Sequence, residues 1–233
     1  MSDYARYAVY YAPPAGSDLA RFGAEWLGRD AQTESPCGPP AGIGLSAERL
    51  AALTAAPARY GFHGTLKPPF ALAAGTDRVA LEKALAALAA DLAPAAAPEG
   101  LRLTEIGHFL ALTPAPDDRA IRPLAAAVVA RLDRFRAPPS EGELARRRAA
   151  GLSARQEALL RRWGYPYVME EFRFHLTLTG PLEPADLAAA AAALGPLVAP
   201  FARAPFRIEA FSLFGDPGGG APFRLLRRFP LGA

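Results

Sequence analysis

Two stretches about half the chain apart, YGFHGTLKPPF (residues 60–70) and FRFHLTLTGPL (172–182), each carry a histidine followed two positions later by a threonine, and the same order of elements follows each. After the first, TDRVALEKALAALAADLAP reads as a helix with Val79, Leu81, Leu85, Leu88 and Leu92 on its apolar side, and LRLTEIGHFLALTP reads as two short strands turning near Gly107. After the second, PADLAAAAAALG reads as a helix ended by Gly195, FRIEAFSLF as a strand, and DPGGG as a turn into a final strand, FRLLRRFPL. A recurring unit of strand, helix, strand and strand limits the fold to two related halves of α+β type.

Within each motif the strand period of two sorts the side chains. Phe172, Phe174, Leu176 and Leu178 face one way, and Arg173, His175, Thr177 and Thr179 the other. In the first motif His63, Thr65 and Lys67 share a face, and Pro68 and Pro69 are expected to end the strand. A histidine beside a hydroxyl on one strand face suits phosphoryl chemistry. Neutral imidazole accepts a proton and imidazolium donates one, and a pair can hold both forms near neutral pH. A threonine hydroxyl can donate to a phosphoryl oxygen and position it. One such motif is more often structural than catalytic, because short patterns recur by chance. What separates His63 and His175 from His108, the third histidine, is the shared context of a preceding aromatic residue, a following Thr-Leu and a nearby proline; His108 has only Leu110 two positions on and is assigned a structural or turn role.

The remaining elements are conventional. RYAVYYA (6–12) reads as an opening strand, a helix starts at Ser17 or Asp18 and stops before Gly28, and Ser46 caps another. AIRPLAAAVVARLDRF reads as a helix, and the pairs Ser140 with Glu143 and Ser153 with Gln156 fit capping boxes, with Gly164 as a C-cap. Arg146, Arg147, Arg148, Arg155, Arg161 and Arg162 form either a phosphate-facing patch or a solvated helix face. Of the 26 basic residues only Lys67 and Lys83 are lysine, and the formal charge of +3 is compatible with an anionic substrate without announcing a nucleic-acid binder. Cys37, the single cysteine, sits in an SPCGPP loop and is read as inert. No uninterrupted apolar run of about twenty residues suggests a membrane span, and a cytoplasmic location is the expectation.

The strings FHGTL and FHLTL resemble the two signature motifs of the 2H phosphoesterase superfamily. RYGFHGTLKPPF, EEFRFHLTLTGPL and the opening RYAVYYAPP resemble more narrowly the family DUF1045, described as phosphonate-metabolism proteins, over nearly the whole chain. The superfamily resemblance implies a bilobal α+β fold with an antiparallel sheet in each of two pseudo-symmetric lobes, one lobe built partly from both chain ends, and a cleft between them. It implies that His63 and His175 are the catalytic acid and base and that Thr65 and Thr177 bind phosphate. Its substrates are 2′,3′-cyclic or 2′,5′-linked phosphodiesters, RNA ends included. The narrower family, associated with carbon-phosphorus lyase pathways, implies a ribose cyclic phosphate.

The domain expectation is one bilobal domain over 1–233, with a first repeat at about 58–116, an arginine-rich connector at about 117–168 and a second repeat at about 169–233. Lys67 and Arg173, on the histidine faces by periodicity, and the nearby Tyr60 are expected to contact phosphate or a second anionic group; simple salt-bridging on the strand is the alternative for Lys67 and Arg173. No cofactor and no metal are expected, since these faces offer Thr, Lys and Arg, with Glu171 the one nearby carboxylate. The partner is a small phosphorylated substrate, with nucleic acid as the second choice, no membrane, and an oligomeric state the sequence leaves open. The alternatives are an RNA-end phosphodiesterase or 2′,5′ ligase, and a non-catalytic nucleotide-binding module.

Overall fold

The computed structural model describes residues 4–149 and 151–232. In chain order the strands are β1 (Arg6–Tyr11), β2 (Gly64–Phe70), β3 (Ala95–Ala97), β4 (Leu101–Ile106), β5 (Phe109–Pro114), β6 (Leu176–Thr177), β7 (Phe206–Ile208), β8 (Ala210–Asp216) and β9 (Arg224–Pro230). The helices are α1 (Asp18–Leu27), α2 (Ala47–Ala58), α3 (Arg78–Ala90), α4 (Arg122–Arg131), α5 (Glu141–Arg148), α6 (Ala154–Trp163) and α7 (Pro184–Val198). Local chemistry sets most helix ends. Ser17, Ser46, Asp77, Ser140 and Ser153 each accept a backbone N–H of the first turn, both capping boxes form, and Gly28 and Gly164 close α1 and α6 in the left-handed conformation.

The chain is α+β, with an antiparallel sheet of seven strands in the order β4-β5-β6-β2-β1-β8-β9. That sheet has two halves, β4-β5-β6 and β2-β1-β8-β9, joined through the single bridge Gly64↔Leu176. The hairpin after each motif pairs away from its own motif strand. β5 pairs β6, the strand of the second motif, while β8 reaches β2, the strand of the first, through the N-terminal β1. A small second sheet, β3 with β7, links the same two units. Asp216, 1% exposed, ties the chain ends together by accepting Arg6 at 2.6 Å and Arg59 at 3.2 Å.

Side-chain alternation places Tyr7, Val9 and Tyr11 of β1 in the main core with Trp26, Leu66, Leu85, Leu112, Phe174, Leu176 and Phe211. Ala8, Tyr10 and Ala12 face the other way, toward Phe214 and Phe223. Burial of each large apolar side chain contributes about 1.5–3 kcal/mol.

Several sequence expectations need correction. The strand of β2 runs through Pro68 and Pro69 to Phe70, because the register slips between Tyr7↔Phe70 and Val9↔Lys67 and the bulge absorbs the prolines. The second motif is strand only at Leu176–Thr177, since the Phe174 amide donates to the Asp118 carboxylate (2.8 Å) in place of a neighbouring strand. FRIEAFSLF is split between β7 and β8, which serve different sheets. α7 passes Gly195 and keeps Pro196 inside, because Leu194 and Val198 on either side are buried. Together with the turn after it, that helix is long and apolar enough by composition to span a membrane, yet it packs on β4 and β5 through Ala190, Leu194 and Val198. Val79 is 76% exposed and lies off the apolar face of α3.

The bridge at Gly64 has a steric requirement. A Cβ there would lie 2.4 Å from Cζ of Phe174, a ring 2% exposed and held between Tyr11 and Phe206. Gly64→Ala is expected to destabilise by about 1–3 kcal/mol through overpacking. A thermal melt checks this, with a Tm drop of roughly 2 °C or more for a chain of this size; an unchanged Tm would show that the two halves are not held at this contact.

Candidate active site

The bridge Gly64↔Leu176 sets the register of the two motifs. Pairing itself is confined to that bridge; continued by one residue either way, an antiparallel register would bring His63 opposite Thr177 and Thr65 opposite His175. The two imidazoles are close enough for His175 to act on His63, and the histidine–threonine contact is within the first motif, between His63 and Thr65. Both imidazoles are held in the same way. His63 Nδ1 is 2.8 Å from the Gly61 carbonyl and His175 Nδ1 is 2.8 Å from the Arg173 carbonyl, in each case two residues back. A carbonyl only accepts, so Nδ1 carries the proton and Nε2 of the neutral ring presents its lone pair.

The two histidines differ in their surroundings. The His63 ring stacks on Tyr10 at 4.0 Å and is flanked by Tyr60 at 5.8 Å and Phe214 at 6.4 Å. Thr65 Oγ1 lies 3.3 Å from His63 Nε2, a hydrogen bond in which the hydroxyl donates to the neutral ring. Burial in this aromatic nest pushes the His63 pKa down to about 4, with the Gly61 carbonyl opposing the shift and the neighbouring His175 adding to it. His175 has one ring neighbour, Phe109 at 5.9 Å, and burial lowers its pKa as well, again opposed by its carbonyl partner.

Two anchors without a local sequence signal hold the second motif in place. Asp118, buried, accepts the Phe174 amide and pairs with Arg122 at 2.7 Å, and the Trp26 indole donates to the Leu178 carbonyl at 2.8 Å. Both partners lie far away in sequence.

Of the remaining expected site residues, Tyr60 lies beside His63, half-buried, with its ring 4.8 Å from Phe223 and under the Arg59 guanidinium. Arg173 is exposed, with no ion pair among the described residues. Lys67 departs from the expected face. The register slips between Tyr10↔Thr65 and Val9↔Lys67, and this bulge turns Lys67 from the Tyr10 side to the Val9 side. There it is 1% exposed, donating to the Val129 carbonyl of α4 at 3.2 Å, 3.9 Å from Asp133 and over the Phe70 ring. Burial lowers its pKa to about 8, partly offset by Asp133. Thr179, also expected on the histidine face, is buried and accepts the Leu110 amide at the strand end. His108 sits exposed in the β4–β5 turn, where its carbonyl accepts the Leu182 amide. Among the described residues no group of three or more His, Cys, Asp or Glu is placed to hold a metal ion.

The arginine-rich segment is mostly paired. Arg148 and Arg161 share Glu157, Arg155 pairs with Glu170, and Arg147 and Arg162 lie over the rings of Tyr165 and Trp163.

The His63 shift carries a stability consequence. With a folded pKa of about 4 against an ordinary 6.5, the unfolded chain binds more protons between these values, so stability is full above pH 6.5 and falls as pH drops toward 4. Denaturant titrations from pH 7 to 4 are expected to show this slope in the wild type and a shallower one in His63→Gln. Identical slopes would place His63 in a solvated environment.

Comparison with known proteins bears on what this arrangement belongs to. The family described as "Protein of unknown function (DUF1045)" matches residues 65–224. Two curated proteins named ribose 1,5-bisphosphate phosphokinase PhnN, from Laribacter hongkongensis and Janthinobacterium sp., are 41% and 40% identical to it over 95% and 97% of this chain. The chain spans about half their length, 51% and 50%. Among solved structures, E. coli LigT in its apo form aligns over 98% of both chains at 13% identity with a TM-score of 0.45, and Usb1 from Kluyveromyces marxianus over 98% of this chain and 99% of its own at 13% and 0.37. With the family match running from Thr65 of the first motif through the whole of the second, the chain belongs to the DUF1045 family.

Proposed function

We propose that this chain is a phosphodiesterase that opens a small cyclic phosphodiester, a ribose cyclic phosphate, by acid–base catalysis between His63 and His175 without a metal ion. The observation that carries the reading is the duplicated geometry: two neighbouring imidazoles, each with Nδ1 held by the carbonyl two residues back, on motif strands joined by the bridge Gly64↔Leu176. The resemblance of both motifs to those of the 2H phosphoesterases supports the same chemistry. Curated relatives of twice the length carry a name built on ribose 1,5-bisphosphate, which supports a ribose phosphate as the substrate class.

In the proposed reaction the Nε2 lone pair of His63 takes a proton from water, the water oxygen forms a bond to phosphorus, and the bond from phosphorus to one ring oxygen breaks. His175, protonated at Nε2, gives its proton to that leaving oxygen, and a phosphomonoester results. His63 is assigned the base because its aromatic surroundings hold it neutral more firmly. Thr177 donates to a non-bridging phosphoryl oxygen, where charge accumulates, and Thr65, whose one hydroxyl proton meets His63 Nε2 in the free site, turns to a second such oxygen when substrate binds and so frees the lone pair.

Phosphorus NMR of ribose 1,2-cyclic phosphate and nucleoside 2′,3′-cyclic phosphates, with EDTA present, tests this. Ring opening of the ribose compound is expected to persist in chelator. His63→Ala and His175→Ala should each lose about 10²–10⁴-fold in kcat, with ligand affinity largely kept. Loss of activity in EDTA with recovery on adding a divalent ion would overturn the metal-free mechanism. Turnover of the nucleoside compounds alone, with steeply salt-dependent oligonucleotide binding, would move the substrate to RNA ends. Binding without turnover of any of them would make the site a sensor.

A further inference from the structure

A cavity of about 900 Å³ that the reaction above does not use reaches Phe214, a ring neighbour of His63, without His63 itself lining it. Its walls come from α1, the loop after it and the ends of β1, β8 and β9, and they include Phe62 and Phe214, the first adjacent to His63 in sequence and the second in ring contact with it. Two half-buried arginines, Arg29 and Arg228, line it.

Both guanidiniums are met by neutral acceptors. Arg228 donates to the Ala12 carbonyl at 2.8 Å and to Gln32 Oε1 at 3.0 Å, and Arg29 donates to the carbonyls of Phe223 and Ala58. Neither has a salt bridge among the described residues. The acids nearby are engaged elsewhere: Asp30 accepts the amides of Gln32 and Thr33 in its own loop, and Glu34 pairs with Arg224. Glu25 also lines the cavity. Desolvation is the leading influence on both guanidiniums and lowers the pKa of each, so the surrounding acids do not fully offset their burial.

The strand register ties this cavity to the histidines. Ser212 pairs with both Tyr10 and Arg228, and Tyr10 pairs with Thr65, so Thr65, Tyr10, Ser212 and Arg228 form one row on the histidine face. Ser212 Oγ in that row is buried and has no hydrogen-bond partner. From Tyr10↔Thr65 and Tyr11↔Gly64 the next step puts Ala12 opposite His63. A guanidinium bonded to the Ala12 carbonyl is then on the order of 10 Å from the His63 backbone, given a strand spacing of about 4.8 Å.

We propose that this cavity is a second anion subsite, in which Arg228 and Arg29 receive a phosphomonoester carried by the same substrate whose cyclic diester lies between His63 and His175. The inference rests on the phosphodiesterase reading for the diester and adds a requirement for a second phosphate. Arg228 supplies a planar fork suited to phosphate oxygens, a geometry lysine does not reproduce.

Two arms test it. In turnover, the ratio of kcat/KM for ribose 1,2-cyclic phosphate bearing a 5-phosphate over the same compound without it is expected to fall at least tenfold in Arg228→Met, and part of the loss to remain in Arg228→Lys. In binding, calorimetry with ribose 5-phosphate is expected to show a complex in wild type and in His63→Ala that weakens at least tenfold in Arg228→Met, with circular dichroism confirming that each variant is folded. Should neither cyclic compound turn over, the binding arm still decides the subsite. Absence of ribose 5-phosphate binding to wild type, or binding that depends on His63 and is indifferent to Arg228, overturns the proposal, as does an unaltered turnover ratio.

Discussion

The contact on which this structure depends is the backbone bridge between Gly64 and Leu176. It alone pairs β2 with β6, and it fixes the register of the motif strands. Glycine is the residue that permits it, because the space a Cβ would need is filled by the Phe174 ring. A strand of two residues has too little pairing to hold itself, since isolated short pairings are marginal in water. The second motif is accordingly secured from outside the ladder, by the Asp118 carboxylate on the Phe174 amide and by the Trp26 indole on the Leu178 carbonyl. Bonds of these two kinds contribute roughly 0.5–3 kcal/mol each, and their geometric role is to stop the motif from sliding.

Register also explains which residues the sequence could place and which it could not. The two motifs stood out in the sequence because they recur, with the same neighbours, before the same succession of elements, and the structure joins them at Gly64↔Leu176. Helix ends at Ser17, Ser46, Ser140, Ser153 and Gly164 were legible because capping is a local interaction between residues a few positions apart. Lys67 was misplaced because period-two counting assumes an unbroken pleat, and the slip between Tyr10↔Thr65 and Val9↔Lys67 moves it to the opposite face before a second slip, ahead of Tyr7↔Phe70, returns Phe70 to the core. That second slip let the strand continue through Pro68 and Pro69. Asp118, Trp26 and Arg228 had no readable signal, since their roles arise from contacts across long stretches of chain: to the second motif for the first two, and to Ala12 and Gln32 for Arg228.

The arginine-rich segment shows how ambiguous a charge run is before its partners are known. Glu157 takes both Arg148 and Arg161, and Glu170 takes Arg155, so these cations are used in exposed pairs worth about 0–1 kcal/mol each. Arg147 differs, because its guanidinium lies over the ring of Tyr165, 4.4 Å from the centroid, and has no carboxylate partner among the described residues. Most of the charge of this segment therefore stays on the outside.

For the proposed reaction the aromatic nest around His63 poses a problem that an anionic substrate would resolve. An imidazole whose pKa is held near 4 is a weak base, and a weak base removes a proton from water slowly. The cause of the shift is that burial penalises the charged ring, and the penalty holds while the space beside Nε2 contains nothing negative. An anionic phosphodiester placed between the two rings favours imidazolium over imidazole, at short range and in a medium of low effective dielectric, so it raises both pKa values toward the range where proton transfer is efficient. Mutual repulsion then keeps the pair from charging together, which leaves one neutral and one protonated ring, the combination that acid–base catalysis needs. In the proposed reaction substrate charge would thus take part in catalysis: the free site is neutral, and a bound anion would supply the field that activates it.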